Sequence, residues 1–178
     1  MRILWIPHTS WHVPQRARAF CAELAKRHTV HVTDWRADFS EVGDYVSRRY
    51  VRNHFYRRWD DRGVNVHHIP RISPALPVTV LRSLNYRLFD HYLERIIKSN
   101  RIDSVVGTFV ARPPRCRHLV FDLFDDNVAY WMSYGRVKGY AREIARIERA
   151  YVARARHVVA VSSVLAHKVR SGGRSHNV

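Results

Sequence analysis

The stretch His118-Leu-Val-Phe-Asp-Leu-Phe-Asp-Asp-Asn-Val-Ala-Tyr-Trp131 says most about the fold and about where a site would lie. Its apolar first half predicts a buried strand of a parallel sheet. Asp122 lies inside that strand, and Asp125 and Asp126 follow it at the carboxyl end, where open α/β sheets bind ligands. We therefore predict that at least one of these carboxylates is functional. The alternative is that Asp126 or Asn127 only caps a helix.

The rest of the chain alternates between strand and helix patterns. The predicted strands are residues 3–6, 29–33, 64–69, 103–107, 119–124 and 157–162, and the predicted helices are one that begins at Pro14 and residues 78–99, 136–154 and 164–170. This alternation predicts an α/β fold, namely a doubly wound, mostly parallel, Rossmann-like sheet with helices on both faces. We expect one such domain over residues 1–178.

Three helices carry apolar positions at helical spacing, which predicts the faces that they bury. In the first, Cys21 lies on the apolar face, which predicts a buried thiol. The stripe of the second is Leu81, Leu84, Leu88, Tyr92 and Ile96. The stripe of the third is Tyr140, Ile144, Ile147 and Tyr151, with Arg142, Arg146 and Arg149 on its other face.

The chain is strongly basic, with 31 Lys and Arg against 15 Asp and Glu among its 178 residues, a net charge of +16. Such an excess predicts attraction to nucleic acid, an anionic membrane or phosphorylated substrates. The segment from Tyr45 to Arg62, rich in Arg and aromatic residues, and the three arginines of the third helix are the candidate surfaces. The alternatives are a general preference for Arg and a missing acidic remainder.

Cellular location is predicted from several absences in the sequence. The two cysteines show no Cys-x-x-Cys pattern, which is typical of buried thiols in a reducing compartment. The N-terminus lacks a signal-peptide pattern, and no window approaches the roughly 20 apolar residues that span a bilayer. We therefore expect a cytoplasmic protein, peripheral at the inner membrane face if it meets a membrane.

The first predicted strand leads into the loop Pro7-His-Thr-Ser-Trp-His-Val-Pro14. This loop lacks the glycines of the dinucleotide fingerprint, which argues strongly against an NAD or FAD domain. No P-loop motif occurs, so a P-loop ATPase is excluded. The side chains of His8, Ser10, Trp11 and Arg16 can hydrogen-bond sugar or phosphate oxygens or stack on a sugar face. We predict that they bind substrate; the alternative is a surface loop with one packed Trp.

Histidines in the chain do not predict a metal site. His8 and His12 precede the helix, and no Cys or carboxylate lies nearby to complete a ligand set. Adjacent strand residues point to opposite faces, so we interpret His67-His68 as structural.

Three motifs carry a resemblance to a known family. They are Pro14-Gln-Arg16 with Ala19-Phe-Cys-Ala-Glu-Leu-Ala25, then Val120-Phe-Asp-Leu-Phe-Asp-Asp126, then Ile147-Glu148 with Ala153-Arg-Ala-Arg-His-Val-Val-Ala-Val-Ser-Ser-Val-Leu165. In combination they resemble the N-terminal domain of two-domain GT-B glycosyltransferases of the family-4-like kind. The resemblance covers most of the chain. It departs from the family in lacking a Gly-Gly pair after the first strand and in having Phe124-Asp125 where many members carry His.

The resemblance implies transfer of a sugar from a nucleotide-sugar donor to a glycan or lipid-linked acceptor, without a metal or other cofactor. It places the first loop and Asp122, predicted to bind substrate, at the acceptor cleft. Asp125 or Asp126 would be the catalytic group, as general base in an inverting enzyme or as an orienting group in a retaining one. Ser162 and Ser163 would lie near the donor, or would cap the helix that follows.

Two further expectations accompany that resemblance. A C-terminal donor-binding domain is expected after Val178, so the chain alone is expected to be inactive. The competing hypothesis is a basic module that binds a membrane surface or a polyanion without catalysis. Nucleic acid is the less favoured polyanion, because no helix-turn-helix, zinc-finger or RRM pattern is visible.

Overall fold

The computed structural model describes residues 1–8, 11, 16–35, 55–70, 79–108, 112–133 and 138–171. The chain divides into two compact units, Met1–Asp103 and Ser104–Val178. Several residues named from the sequence lie outside the described residues: Ser10, His12, Pro14, positions 45–54, and the side chains of Leu81 and Tyr140.

The first unit contains four strands and two helices. In chain order they are β1 (Arg2–Trp5), α1 (Arg16–Ala25), β2 (Thr29–Asp34), β3 (Arg57–Asp61), β4 (Val64–His68) and α2 (Thr79–Ser99). The strand order is β3-β4-β2-β1, in which β1, β2 and β4 are parallel and β3 is antiparallel to β4. The path from β1 through α1 to β2 is a β-α-β unit, which agrees with the predicted alternation of strand, helix and strand.

The core of the first unit lies along its parallel strands. Leu4, Val30, Val32 and Val66 are fully buried, as expected for strands shielded from water on both faces. Cys21 of α1 is also fully buried, which confirms its predicted place in the core.

The edge strand β3 was not predicted from the sequence. Its residues, Arg-Arg-Trp-Asp-Asp, show no apolar alternation because most of them are exposed. It is joined to β4 by the two-residue turn Arg62-Gly63. Both turn residues have positive φ, 56° and 83°. Such a turn matches the twist of a hairpin, and glycine adopts its second position without strain.

The predicted apolar stripe of α2 is confirmed at Ile96 and wrong at Leu84, and Leu88 and Tyr92 are half-buried. Leu84 is 41% exposed, whereas Tyr86, Phe89, Leu93 and Ile96 are buried. Trp35, just after β2, packs against Tyr86 and Phe89 with ring centroids 6.0 and 4.9 Å apart. Two sets of apolar residues recur at helical spacing on this helix. Contact with Trp35 buries the set that contains Tyr86 and Phe89.

The second unit contains three strands and three helices. They are β5 (Ser104–Gly107), β6 (His118–Leu123), α3 (Asn127–Ser133), α4 (Lys138–Arg154), β7 (His157–Ala160) and α5 (Ser163–Ser171). The order is β5-β6-β7, and both pairings are parallel. The fold is therefore α/β with mostly parallel strands, as predicted.

Helix α4 supplies much of the second unit's core. Ile144, Ile147 and Tyr151 are buried, as predicted, and the Tyr151 ring stacks on Phe121 of β6 at 4.8 Å. Arg142, Arg146 and Arg149 are exposed, which also agrees with the sequence. Among the described helices of both units, none is long and apolar enough to cross a bilayer.

Candidate functional site

Asp126 lies just beyond the carboxyl end of β6 and has two structural partners. Its Oδ1 accepts the Ala129 N–H at 3.1 Å, which caps α3 and confirms the capping alternative. The same oxygen accepts a hydrogen bond from Lys168 Nζ at 2.8 Å. Although it caps the helix, the Asp126 side chain remains 41% exposed, so a ligand can still reach its carboxylate.

Lys168 connects Asp126 to a second carboxylate. Its Nζ also donates to Glu148 Oε2 at 3.3 Å. Glu148 lies on α4 and is buried, and its other oxygen, Oε1, has no hydrogen-bond partner among the described residues. One ammonium group therefore ties α5 to α4 and to the start of α3. We call these three residues, Asp126, Glu148 and Lys168, the carboxylate–lysine cluster.

Electrostatics set the charge state of this cluster. Burial raises the pKa of Asp126, but hydrogen bonds from Lys168 and from backbone N–H groups outweigh burial, so the pKa lies below its usual value. Burial raises the pKa of Glu148, and Lys168 offsets only part of that rise. For Lys168, burial lowers the pKa, but the two carboxylates outweigh burial and raise it. Asp126 is therefore ionised at neutral pH and is a weak base.

The other residues predicted in this unit lie around the cluster or within the strand. Asp125 is exposed, and its Oδ1 accepts the N–H of Asp126 at 2.8 Å. Asp122 is buried in β6. Ser162 Oγ accepts the Leu165 N–H at 3.3 Å and caps α5, the alternative role given for it, and Ser163 is the first, exposed residue of that helix.

Lys168 was missed by sequence reasoning, and Glu148 was noticed only as part of a family motif. A lysine on a short helix of a basic chain is usually solvated, so nothing local marks it. Only the spacing of Glu148 within the buried stripe of α4, directly after Ile147, could have indicated a buried carboxylate.

A second polar group lies at the carboxyl ends of two strands in the first unit. Asp34 ends β2, His68 ends β4, and the two are partners in the parallel register. His68 Nδ1 lies 3.3 Å from Asp34 Oδ2, and both side chains are at most 5% exposed. The backbone N–H of Trp11 donates to Asp34 Oδ1 at 2.9 Å. We call Asp34 and His68 the aspartate–histidine pair.

In the first unit, the residues predicted to bind substrate differ in their burial and in their contacts. The Trp11 indole N–H donates to Asp61 Oδ2 at 2.7 Å, and Arg18 donates to the same oxygen at 3.0 Å. Trp11 is 3% exposed, so its ring is packed, and stacking on a sugar would require its displacement. The Arg16 guanidinium lies over the Phe20 ring at 5.7 Å, and His8 is half-buried just after β1.

His67 belongs to a separate buried network. Its Nε2 lies 2.8 Å from His31 Nδ1, and its Nδ1 lies 2.6 Å from Tyr56 Oη. The Tyr56 ring stacks on Tyr92 of α2 at 5.3 Å. Burial lowers the pKa of His31 to about 4 and that of His67 to about 3. Both rings therefore stay neutral at neutral pH and serve as packing and hydrogen-bonding groups.

No known family model and no curated protein matches this chain.

Proposed function

We propose that this chain is the acceptor-side half of a GT-B glycosyltransferase, built as a doubly wound, Rossmann-like sheet with helices on both faces. It would act on a nucleotide-sugar donor and a glycan or lipid-linked acceptor. The observation that supports this proposal is the carboxylate–lysine cluster beyond the carboxyl end of β6, with Asp125 exposed beside it. Ligands of α/β sheets bind at that edge.

The chemistry of the cluster suits a sugar. Ionised carboxylates accept charge-assisted hydrogen bonds from hydroxyl groups. Asp126 is half exposed and Asp125 is exposed, so both can receive acceptor hydroxyls, while Lys168 can donate to a sugar oxygen. Asp126 would orient the acceptor because its lowered pKa makes it a weak base. Ser162 and Ser163 would lie towards the donor nucleotide.

The proposed reaction uses no metal or other resident cofactor. Lys168 already places a positive charge between Asp126 and Glu148. The nucleotide sugar is a substrate, and the resemblance implies that a second lobe holds most of it. We propose that the protein works in the cytoplasm, at the inner membrane face when the acceptor is lipid-linked.

Acceptor binding tests the proposal directly. The 178-residue chain is screened by ligand-observed NMR against mono- and oligosaccharides and short-chain lipid phosphate sugars. The matched variants are Asp125→Asn/Asp126→Asn, in which asparagine keeps the helix cap, and Asp60→Asn, which changes an exposed carboxylate elsewhere. We expect wild type and Asp60→Asn to bind a sugar, and the double variant to bind at least about tenfold more weakly. No sugar binding, or binding indifferent to the double change, would overturn the proposal.

A second candidate function has one specific observation in its favour. Arg142, Arg146 and Arg149 follow one another at helical spacing on α4, and all three are exposed. Such a basic face attracts anionic lipid headgroups or another polyanion. This surface would either serve the glycosyltransferase at a membrane or constitute the whole function of a non-catalytic module.

A further inference from the structure

Strand β3 is an open edge of the sheet in the first unit. Within the described part of the chain it pairs with β4 alone, along one side. The other side of an edge strand presents backbone N–H and C=O groups that can pair with a strand of another chain. Charged side chains on an edge commonly prevent such pairing. A run of one sign repels a second copy, but β3 carries charges of both signs.

The turn between β3 and β4 fixes which backbone groups face the open edge. Asp61 and Val64 flank the turn Arg62-Gly63 and are register partners. Residues that flank a two-residue turn form a hydrogen-bonded pair, so the N–H and C=O of Asp61 point towards β4. Because this direction alternates along a strand, the N–H and C=O groups of Arg58 and Asp60 point to the open edge.

The charges of β3 change sign at the middle of the strand, whose sequence is Arg57-Arg-Trp-Asp-Asp61. We consider two copies of β3 that run antiparallel about a two-fold axis through Trp59. Arg57 then lies opposite Asp61 of the second copy, and Arg58 lies opposite Asp60 of the second copy. Arg58 and Asp60 are also the residues whose backbone groups point outwards. Backbone hydrogen bonding and charge pairing are therefore satisfied in the same register.

The side chains of Arg58 and Asp60 are suited to this pairing. Both are exposed. Asp60 Oδ1 accepts the Gly63 N–H at 3.0 Å, and Arg58 donates to Asn65, so both side chains are oriented while Asp60 keeps a second oxygen and Arg58 keeps further N–H groups. Asp61 already has an ion pair within its own chain, so its pairing with a second copy should add less.

We infer that two copies of this chain pair through β3 and form a symmetric dimer with one continuous sheet across the two first units. A polyanion fits this strand less well, because Asp60 and Asp61 repel it. The net charge of +16 opposes the approach of two copies, and a five-residue edge buries little surface. The dimer is therefore weak and depends on concentration. The inference does not depend on the proposed function.

Charge reversal tests the dimer. Sedimentation velocity measures the mass of the 178-residue chain over a range of concentrations. Arg58→Glu sets carboxylates opposite each other on both sides of the axis, and Asp60→Arg does the same with guanidinium groups. We expect each change to weaken dimerisation at least about tenfold. Arg87→Glu makes the same change of charge at an exposed position on α2, and it should dimerise at least as well as wild type.

Mixing the two reversed variants separates pairing from damage to the fold. In an equal mixture of Arg58→Glu and Asp60→Arg, every opposing pair again joins a cation to a carboxylate. We expect the mixture to form a heterodimer about as tightly as wild type dimerises. A wild-type chain that stays monomeric at NMR concentrations would overturn the inference. So would a dimer that both reversals leave intact, or reversed variants that stay apart when mixed.

Amide hydrogen exchange reads the strand register in wild type, even if a variant does not fold. The amide hydrogens of Arg58 and Asp60 should exchange several-fold more slowly as the protein concentration rises. The amide of Trp59 points towards β4 and should depend little on concentration. A rise in mass without slower exchange at Arg58 and Asp60 would place the interface elsewhere and overturn the inference.

Discussion

The ammonium nitrogen of Lys168 lies 2.8 Å from Oδ1 of Asp126, the same oxygen that caps helix α3. One atom thus satisfies an unpaired backbone N–H at a helix start and joins that helix to α5. The two roles are separable, because asparagine caps a helix about as well as aspartate but carries no charge.

The Asn and Ala variants of Asp126 should therefore differ in their free energies of unfolding. Asp126→Asn should lower the free energy of unfolding by less than about 1 kcal/mol, since a half-exposed ion pair contributes little. Asp126→Ala should cost about 1 kcal/mol more through the lost cap. Urea unfolding measures the free energy of both variants against wild type. Equal stabilities of the Asn and Ala variants would contradict the capping role.

The buried histidine pair predicts sensitivity to acid. The folded-state pKa values of His31 and His67, about 4 and about 3, lie below the usual 6.5 because of burial. Above pH 6.5 both rings are neutral in both states. As the pH falls from there towards 4, only the unfolded chain takes up these protons, so stability drops by up to about 1.4 kcal/mol per pH unit for each ring.

Denaturant unfolding over a series of pH values checks this expectation. His67→Gln removes one titrating ring and should flatten the acid limb of the stability profile. His91→Gln changes an exposed histidine of α2 and serves as the control. A profile unchanged by His67→Gln would mean that this ring is protonated in the folded state.

Gly107 at the end of β5 should tolerate no side chain. A Cβ built on Gly107 would lie 2.7 Å from Cζ of the buried Tyr151 ring. Gly107→Ala should therefore destabilise the protein by about 1–3 kcal/mol through overpacking. Thermal unfolding of Gly107→Ala, Tyr151→Leu and the double variant forms a cycle. The double variant should lose less than the sum of the single losses, and strict additivity would show that the ring and residue 107 do not meet.

The two thiols should differ in reactivity. Burial raises the pKa of Cys21 to about 12, and the side chain is fully buried. Burial also raises the pKa of Cys116, which is only half-buried. Iodoacetamide at neutral pH should label Cys116 slowly and Cys21 only after denaturation, as read by peptide mass spectrometry. Native labelling of Cys21 at the rate of Cys116 would mean that α1 opens readily.

The arginine face of α4 should control binding to anionic membranes. Each arginine near such a surface contributes about 1 kcal/mol, so changing Arg142, Arg146 and Arg149 to Gln should weaken vesicle binding by at least about tenfold. A triple change at Arg27, Arg87 and Arg95, all exposed, removes the same charge elsewhere. Equal losses would show that only net charge matters, and preferential, steeply salt-dependent DNA binding would favour a nucleic-acid partner.

The sequence predicted the buried face of an element where apolar residues recur at the spacing of a strand or a helix. The buried strand β6 and the stripe of Ile144, Ile147 and Tyr151 were predicted because apolar spacing reports directly on burial. Strand β3 was missed because an exposed edge strand has no such spacing. The stripe of α2 was predicted only in part, because two apolar stripes that share Ile96 compete there and packing against Trp35 favours the one with Tyr86 and Phe89.

By itself, the sequence determined the alternation of strands and helices and the carboxylates after β6, because both depend only on residues near one another in the chain. It also determined the excess of positive charge, which is a sum over all residues. The tertiary structure alone decided that His68 meets Asp34, 34 positions away, and that Lys168 meets Asp126, 42 positions away. Strand register and helix packing bring such residues together, and both depend on contacts between elements far apart in the chain.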